Sequence, residues 1–136
     1  MITTQSHAEA YQTAFSNPEG VEGQADAPRS KGGDGAGFGP HELLEAALAT
    51  CLNMAVRMRA AKLGIPLDAV ATSVELDRSR PESVTFNYRV EISGDVDPAH
   101  RQALEEAATT CPVRQTLSKG LIFQSVDGEP KCQIQP

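Results

Sequence analysis

The chain has 136 residues, of which 40% are hydrophobic and 22% charged, so we expect residues 1–136 to fold as a single domain. Twelve Lys and Arg residues stand against 18 Asp and Glu residues, a net charge of −6, and aromatic residues make up 4%. This balance argues against a nucleic-acid or anionic-membrane partner, because phosphate contacts need clustered cations and base stacking needs exposed rings.

The first 40 residues predict two short strands and a loop. Residues 8–15 and 20–25 are predicted as weak strands joined by a turn at 17–20, and residues 31–40 as a flexible, glycine-rich connection. A dinucleotide-binding glycine motif begins directly after a strand, and no strand is predicted directly before this connection. The connection also lacks the Gly-Lys-Ser/Thr of a phosphate-binding loop.

A long helix is predicted next. Pro40 suits a first helical turn, while Gly64 and then Pro66 mark its end. Because both sides of this helix are apolar, we expect it to be central and covered on most sides, by a sheet and by a partner subunit. Helical spacing predicts a buried stripe of Leu44, Ala47, Leu48, Cys51, Met54, Ala55 and Met58.

Strands and helices follow in an order that is typical of the α+β class. Residues 70–76 and 84–92 alternate apolar and polar side chains, which predicts an antiparallel hairpin with one wet face. The other predicted elements are two helices that begin at Asp97-Pro98 and Cys111-Pro112, and two closing strands over 121–126 and 131–134 joined by a turn at 127–128.

The sequence predicts a cytoplasmic protein. Residues 1–9 carry neither the cationic start nor the apolar stretch of a secretion signal, and Glu45, Thr50 and Asn53 interrupt the longest apolar region. Three cysteines are an odd and sparse set for a secreted disulfide framework. In a reducing compartment such cysteines are core residues, metal ligands or redox groups.

Two cysteines occupy different local settings. Cys111 precedes a proline at a predicted helix start, where unpaired N–H groups stabilise a thiolate, and Arg114 adds a cation within the first turn. Cys51 lies in mid-helix and has no such help locally. Spacing alone leaves open that these two and Cys132 are small core residues, which is common for free cysteines.

Metal binding and hydrolysis have weaker support. There is no Cys-x-x-Cys pair, the three histidines are far apart in sequence, and one helix cannot bring His41 and Cys51 to the same ion. No Gly-x-Ser-x-Gly elbow supports hydrolysis by a Ser/His/Asp triad. We therefore expect no bound metal or cofactor.

The two cysteine segments resemble the motifs of the OsmC/Ohr family. Residues 39–51, Gly-Pro-His-Glu-Leu-Leu-Glu-Ala-Ala-Leu-Ala-Thr-Cys, are similar to its central-helix motif, and residues 111–118, Cys-Pro-Val-Arg-Gln-Thr-Leu-Ser, to its second motif. Residues 25–34 are similar to the segment that precedes the helix in that family. The resemblance covers nearly the whole chain.

The resemblance implies an OsmC-like fold, with antiparallel sheets wrapped around a long central helix, in an intertwined homodimer. It also implies a thiol peroxidase that acts on organic hydroperoxides in oxidative stress defence. Cys51 would attack the O–O bond and become a sulfenic acid, Cys111 would condense with it to a disulfide, and an external dithiol would restore both.

The resemblance further implies an arginine that favours the attacking thiolate and a glutamate that orients the arginine. Arg29 is the arginine ahead of Cys51 in the sequence, and we expect it to take this role. The family has its glutamate where this chain has His41, so Glu42, one position on, is the expected substitute and Glu45 the alternative. One residue turns a side chain by about 100° around a helix.

Two alternatives to the peroxidase remain, and the departure at His41 motivates the first of them. One is a non-enzymatic OsmC-like domain that binds a small ligand or senses redox state. The other is a zinc site made by Cys51, Cys111 and a neighbouring histidine.

Overall fold

A computed structural model describes residues 1–126, so the expected turn at 127–128, the expected strand over 131–134 and Cys132 lie outside the described residues. The chain divides into two compact units, one containing residues 1–43 and 123–126 and the other residues 44–122. In chain order the elements are β1 (Thr3–Ser6), β2 (Thr13–Ser16), β3 (Glu22–Ala25), a short 3-10 helix (Arg29–Lys31), α1 (Pro40–Leu63), β4 (Ala69–Asp77), β5 (Thr85–Ser93), α2 (Pro98–Thr109) and α3 (Pro112–Leu117).

The first unit contains an antiparallel sheet in the order β1-β2-β3. The turn between β2 and β3 is held by the Asn17 side chain, which accepts the N–H groups of Glu19 and Val21. The expected strand over 8–15 is wrong in its first half. Residues 7–12 form the reversal between β1 and β2 instead, with the His7 N–H donating to the Gln12 carbonyl, and β1 was missed because its four residues are polar.

The glycine-rich connection is ordered by one buried carboxylate. Asp26 is 3% exposed, and its two oxygens accept the N–H groups of Ala27, Asp34 and Ala36 at 2.7 to 3.1 Å. A Cβ at Gly33 would collide with the Ala27 carbonyl, so the chain can close on Asp26 only with glycine there. The expectation of a flexible loop is therefore corrected over this stretch.

Helix α1 has the predicted bounds. At its start the Glu42 carboxylate accepts the Gly39 N–H at 2.7 Å, as the third helical residue does in a capping box. At its end Gly64 adopts φ +66°, the left-handed conformation that glycine takes without steric cost.

The buried face of α1 differs from the predicted stripe. Its buried residues repeat every four positions and are Leu48, Leu52, Val56 and Ala60, against which the hairpin and α2 pack. The predicted members Leu44, Met54 and Met58 are 44%, 54% and 69% exposed. Because the helix is apolar on both sides, periodicity alone does not say which side the rest of the chain covers.

Three hydrogen bonds join α1 to β4 between the buried residues. The Glu45 carboxylate accepts the Leu76 N–H at 2.7 Å, and the Asn53 amide donates to the Val70 carbonyl at 2.7 Å. Between them the Thr72 hydroxyl donates to the Ala49 carbonyl at 2.9 Å.

The second unit has the predicted hairpin and helices. β4 and β5 pair antiparallel over nine residues each, with alternating half-buried positions along β4. Asp97 caps α2 by accepting the N–H groups of Ala99 and His100, and Leu104 and Ala108 are buried. No helix in residues 1–126 has the length and apolar character needed to cross a membrane.

Residues 121–126 do not form the expected strand. Their apolar side chains are mostly exposed, with Ile122 at 92% and Phe123 at 91%. Alternating apolar residues predict a strand only where a neighbouring strand accepts the backbone hydrogen bonds, and such pairing is not found for this segment among the described residues.

Candidate active site

The fold brings Cys51 and Cys111 together. Cys51 lies in the middle of α1, Cys111 immediately precedes α3, and the two thiols are hydrogen-bonded to each other. Cys111 is fully buried within the core of the second unit, whereas Cys51 is half-buried and packs against that core. Both are free thiols, so a reduced pair lies in contact at the edge of the core.

Burial raises the pKa of the Cys111 thiol, and the hydrogen bond to Cys51 raises it further. The backbone N–H groups of Arg114 and Val113 act in the opposite direction and lower it by less. The expectation that its position at a helix start makes Cys111 acidic is therefore wrong, because desolvation outweighs the N–H groups. Burial thus makes the Cys111 thiol less acidic than an ordinary cysteine.

Arg29 lies in the first unit, in the 3-10 helix before the glycine-rich loop. Its Nε donates to the Asp34 carbonyl at 3.0 Å, and the Asp34 N–H in turn donates to Asp26. Among residues 1–126, no carboxylate forms an ion pair with Arg29. The guanidinium is thus tied to the loop that Asp26 orders.

The two candidate glutamates both bind backbone N–H groups. Glu42, in the first turn of α1, binds Gly39, and Glu45, one turn later, binds Leu76 on β4. His41, which stands where the family motif has glutamate, lies in the first turn of α1 beside them.

A cleft of about 330 Å³ lies in the second unit, between β5 and α3. Its lining includes Leu48, Val84, Phe86, Tyr88, Arg114 and Leu117. Leu48 lies three residues before Cys51, Arg114 lies three residues after Cys111, and the apolar lining residues Leu48, Phe86 and Leu117 belong to the same core cluster as the two cysteines. Sequence analysis missed the cleft, although the arginine in the Cys-Pro-Val-Arg run was a visible signal.

Residues 1–126 contain no group of three or more His, Cys, Asp and Glu side chains placed to hold a metal ion. The chemistry available at the thiol pair is that of sulfur: nucleophilic attack, sulfenic acid formation and disulfide exchange.

Family comparison agrees with this arrangement. Residues 32–125 match the family model described as OsmC-like protein, and that span includes both cysteines. The chain therefore belongs to the OsmC-like protein family. A search of curated protein sequences finds no match to it.

Solved structures share the fold at low sequence identity. A Psychrobacter arcticus protein named for osmotic stress induction and detoxification response is 21% identical, with a TM-score of 0.73 over 85% of each chain. An OsmC-like protein from Mycoplasma pneumoniae is 19% identical, with a TM-score of 0.71 over 86% of this chain and 85% of that one. The organic hydroperoxide resistance protein OsmC from Legionella pneumophila is 20% identical, with a TM-score of 0.62 over 87% and 88%.

Proposed function

We propose that this protein reduces organic hydroperoxides with its own thiols and is restored by an external dithiol. The observation that supports this most directly is the contact between Cys51, half-buried at the edge of the core, and Cys111, buried and hydrogen-bonded to it. The name of the Legionella pneumophila relative points to the same class of substrate.

The proposed reaction begins at Cys51. Its thiolate attacks the terminal oxygen of the hydroperoxide and breaks the O–O bond, and the alkoxide that leaves takes a proton and departs as an alcohol. Cys51 then carries a sulfenic acid. Cys111 attacks this sulfur, water leaves, and a Cys51–Cys111 disulfide forms. An external dithiol exchanges with the disulfide, which restores both thiols and leaves the dithiol oxidised.

The hydrogen bond between the thiols supports this division of roles. Because burial and the bond both favour the protonated form of Cys111, little of the nucleophilic thiolate is present at Cys111 before oxidation. Its contact with Cys51 also places it next to the sulfenic acid as soon as that acid forms. Cys51 is the thiol that an incoming molecule meets, since Cys111 has no exposed surface.

Arg29 is our proposed cation for the attacking thiolate, with Glu42 as the residue that orients it. Support comes from the family motif and from the ordered loop around Arg29, in which only Nε is committed to the Asp34 carbonyl. One carboxylate oxygen of Glu42 accepts the Gly39 N–H, and the other oxygen can accept further hydrogen bonds.

A homodimer is part of the proposal. Leu44, Ala47, Met54 and Met58 lie at helical spacing along one side of α1 and are all exposed. Their intervals of three, seven and four residues place these side chains on one face of the helix, and monomers seldom leave such an apolar stripe in water. A second copy that presents the same stripe would bury it, in a two-fold contact.

We also propose a cytoplasmic setting. The cycle consumes a dithiol at each turn, so it needs a compartment that keeps thiols reduced.

The experiment is a titration of thiols after addition of cumene hydroperoxide. The wild-type protein should lose the Cys51 and Cys111 thiols with one equivalent of peroxide and regain both with dihydrolipoate, with one alcohol formed per cycle. Cys51→Ser should neither lose Cys111 nor form alcohol, and Cys111→Ser should hold Cys51 as a sulfenic acid that dimedone traps. Arg29→Gln should slow the first step. Turnover by Cys51→Ser would refute the proposed mechanism.

A redox-sensing domain without turnover is the second candidate. The observation that favours it is the bonding of Arg29 to a loop carbonyl and of Glu42 to the helix start. A sensor would form the disulfide once, slowly, and would not consume peroxide continuously when dihydrolipoate is present. Steady-state alcohol production therefore separates the two functions.

A further inference from the structure

We propose that the cleft between β5 and α3 selects hydroperoxides that carry a carboxylate, and that Arg114 is the residue that binds the carboxylate. This inference rests on the proposed function, because it assigns a substrate class to the same thiol pair. It is carried by the position of one exposed cation, three residues after Cys111, in a small cleft lined by both polar and apolar side chains.

The cleft has an apolar wall and a charged end. Leu48 and Leu117 come from the two helices that carry or follow the cysteines, and Phe86 comes from β5. These side chains can accept a hydrocarbon or an aromatic ring. A volume of about 330 Å³ is at the small end of the range for ligand clefts, and it suits a molecule of one ring better than a long chain.

Arg114 supplies the charge. Its Nη1 donates to the Thr109 carbonyl at 2.6 Å, which fixes the guanidinium at the end of α2 and uses one of its five N–H donors. Within residues 1–126 it has no carboxylate partner at ion-pair distance. The remaining donors form a planar fork that matches a carboxylate.

The geometry relates this charge to the reacting sulfurs. Arg114 follows Cys111 by three residues, about 4.5 Å along the axis of α3, and its own backbone N–H lies against the Cys111 sulfur. At the other side of the cleft Leu48 lies three residues, about one helical turn, before Cys51. A ligand whose carboxylate meets Arg114 and whose ring lies against Leu48 would therefore hold its peroxide group on the Cys51 side of the cleft.

The overall charge of the chain gives this cation its effect. With a net charge of −6 the molecule repels anions at long range, so an anionic substrate needs a local partner. Arg114 meets this need, because a charge-assisted hydrogen bond to a carboxylate is stronger than a hydrogen bond between neutral groups.

The test compares cumene hydroperoxide with its para-carboxylate derivative, two substrates with the same reacting group that differ by one negative charge. We expect wild-type kcat/KM to favour the carboxylated compound, and Arg114→Gln to reduce this selectivity by about five- to tenfold, mainly through KM. Arg114→Lys should retain part of it. Lys119→Gln removes the same charge from an exposed site outside the cleft lining and should leave the selectivity unchanged.

A binding measurement separates this inference from the proposed function. The alcohol derived from the carboxylated peroxide is unreactive, and its affinity for the reduced protein can be measured by calorimetry or NMR. We expect tighter binding than for the neutral alcohol, with the difference lost in Arg114→Gln but not in Lys119→Gln. If neither peroxide is turned over, the proposed peroxidase activity is refuted, while the difference in binding still tests whether Arg114 binds a carboxylate in the cleft. Equal affinities in the wild type, or a loss shared by Lys119→Gln, would overturn the assignment to Arg114.

Discussion

Asp26 shows how one side chain organises a loop that carries no regular structure. The backbone N–H of Ala36 contributes most to keeping the pKa of this carboxyl below its ordinary value of 3.8, and the N–H groups of Ala27, Asp34 and Gly35 act in the same direction against the effect of burial. The ionised form is therefore the form that the loop binds. Since Asp34 in turn accepts from Arg29, the carboxylate of Asp26 indirectly fixes the guanidinium.

The residue-scale prediction concerns Asp26 and pH. A carboxyl whose pKa is lower in the folded protein stabilises it fully above the unfolded pKa, and this stabilisation is lost as the pH falls from about 3.8 towards the folded value. We expect Asp26→Asn to melt several degrees below wild type at neutral pH, with the gap narrowing in acid.

Asp34→Asn is the matched control, because it removes the same charge from an exposed side chain of the same loop. Thermal melts from neutral pH to pH 3, followed by circular dichroism, make the comparison. A gap for Asp26→Asn that does not change with pH would contradict the linkage.

Helix α1 shows which features of a secondary-structure element can be predicted from the sequence. Its start at Pro40 and its stop at Gly64 were readable because caps depend on a few neighbouring residues, and the same holds for Asp97 before α2. The hairpin was readable from its period of two. The side of α1 that becomes buried was not, because it is decided by which distant elements cover the helix, and both sides offer apolar residues.

Helix termination gives a prediction at this scale. Gly64 has φ +66° and no heavy atom within 4 Å of a Cβ placed on it, so its requirement is conformational rather than steric. Gly64→Ala should reduce the free energy of unfolding by about 1 kcal/mol, the cost of holding alanine in the left-handed region.

The control is Gly120→Ala, whose Cβ also meets no atom within 4 Å but whose φ is not among the positive ones. Its free energy of unfolding in urea should equal or slightly exceed that of the wild type. Equal losses for both variants would show that the turn after α1 does not depend on the left-handed conformation.

The candidate site was only partly readable for the same reason. Cys51 and Cys111 stood out through their motifs, but their contact depends on the packing of α1 against the segment between α2 and α3. The acidity of Cys111 could not be predicted locally, because an argument from the helix start omits desolvation, which depends on the packed core. The cleft joins residues from three separate stretches, which no local pattern connects.

At the scale of the whole molecule, the exposed apolar stripe of α1 is the proposed contact surface of the homodimer. Met58→Glu replaces an apolar side chain that is 69% exposed, so it should cost the single chain little while placing a charge in the proposed contact. We expect the wild type to elute as a dimer and Met58→Glu to shift to monomer at micromolar concentration, measured by size exclusion with light scattering.

Ala99→Glu is the control for this prediction, since it adds the same charge at an exposed position in the first turn of α2, away from the stripe. It should remain dimeric. A wild-type protein that is monomeric at high concentration, or a dimer that tolerates Met58→Glu, would exclude α1 as the contact.

Apolar packing holds α1 against the rest of the second unit, whereas the three hydrogen bonds between α1 and β4 fix the rotation of the helix about its axis. Glu45, Ala49 and Asn53 are spaced by one turn each, so their bonds to Leu76, Thr72 and Val70 prevent α1 from rolling about its axis. Apolar packing is non-directional and could not do this alone. The interior beneath the helix should therefore accept exchanges of aliphatic residues of equal volume without redirecting the sulfur of Cys51, so the core can vary in sequence while the position of that sulfur is kept.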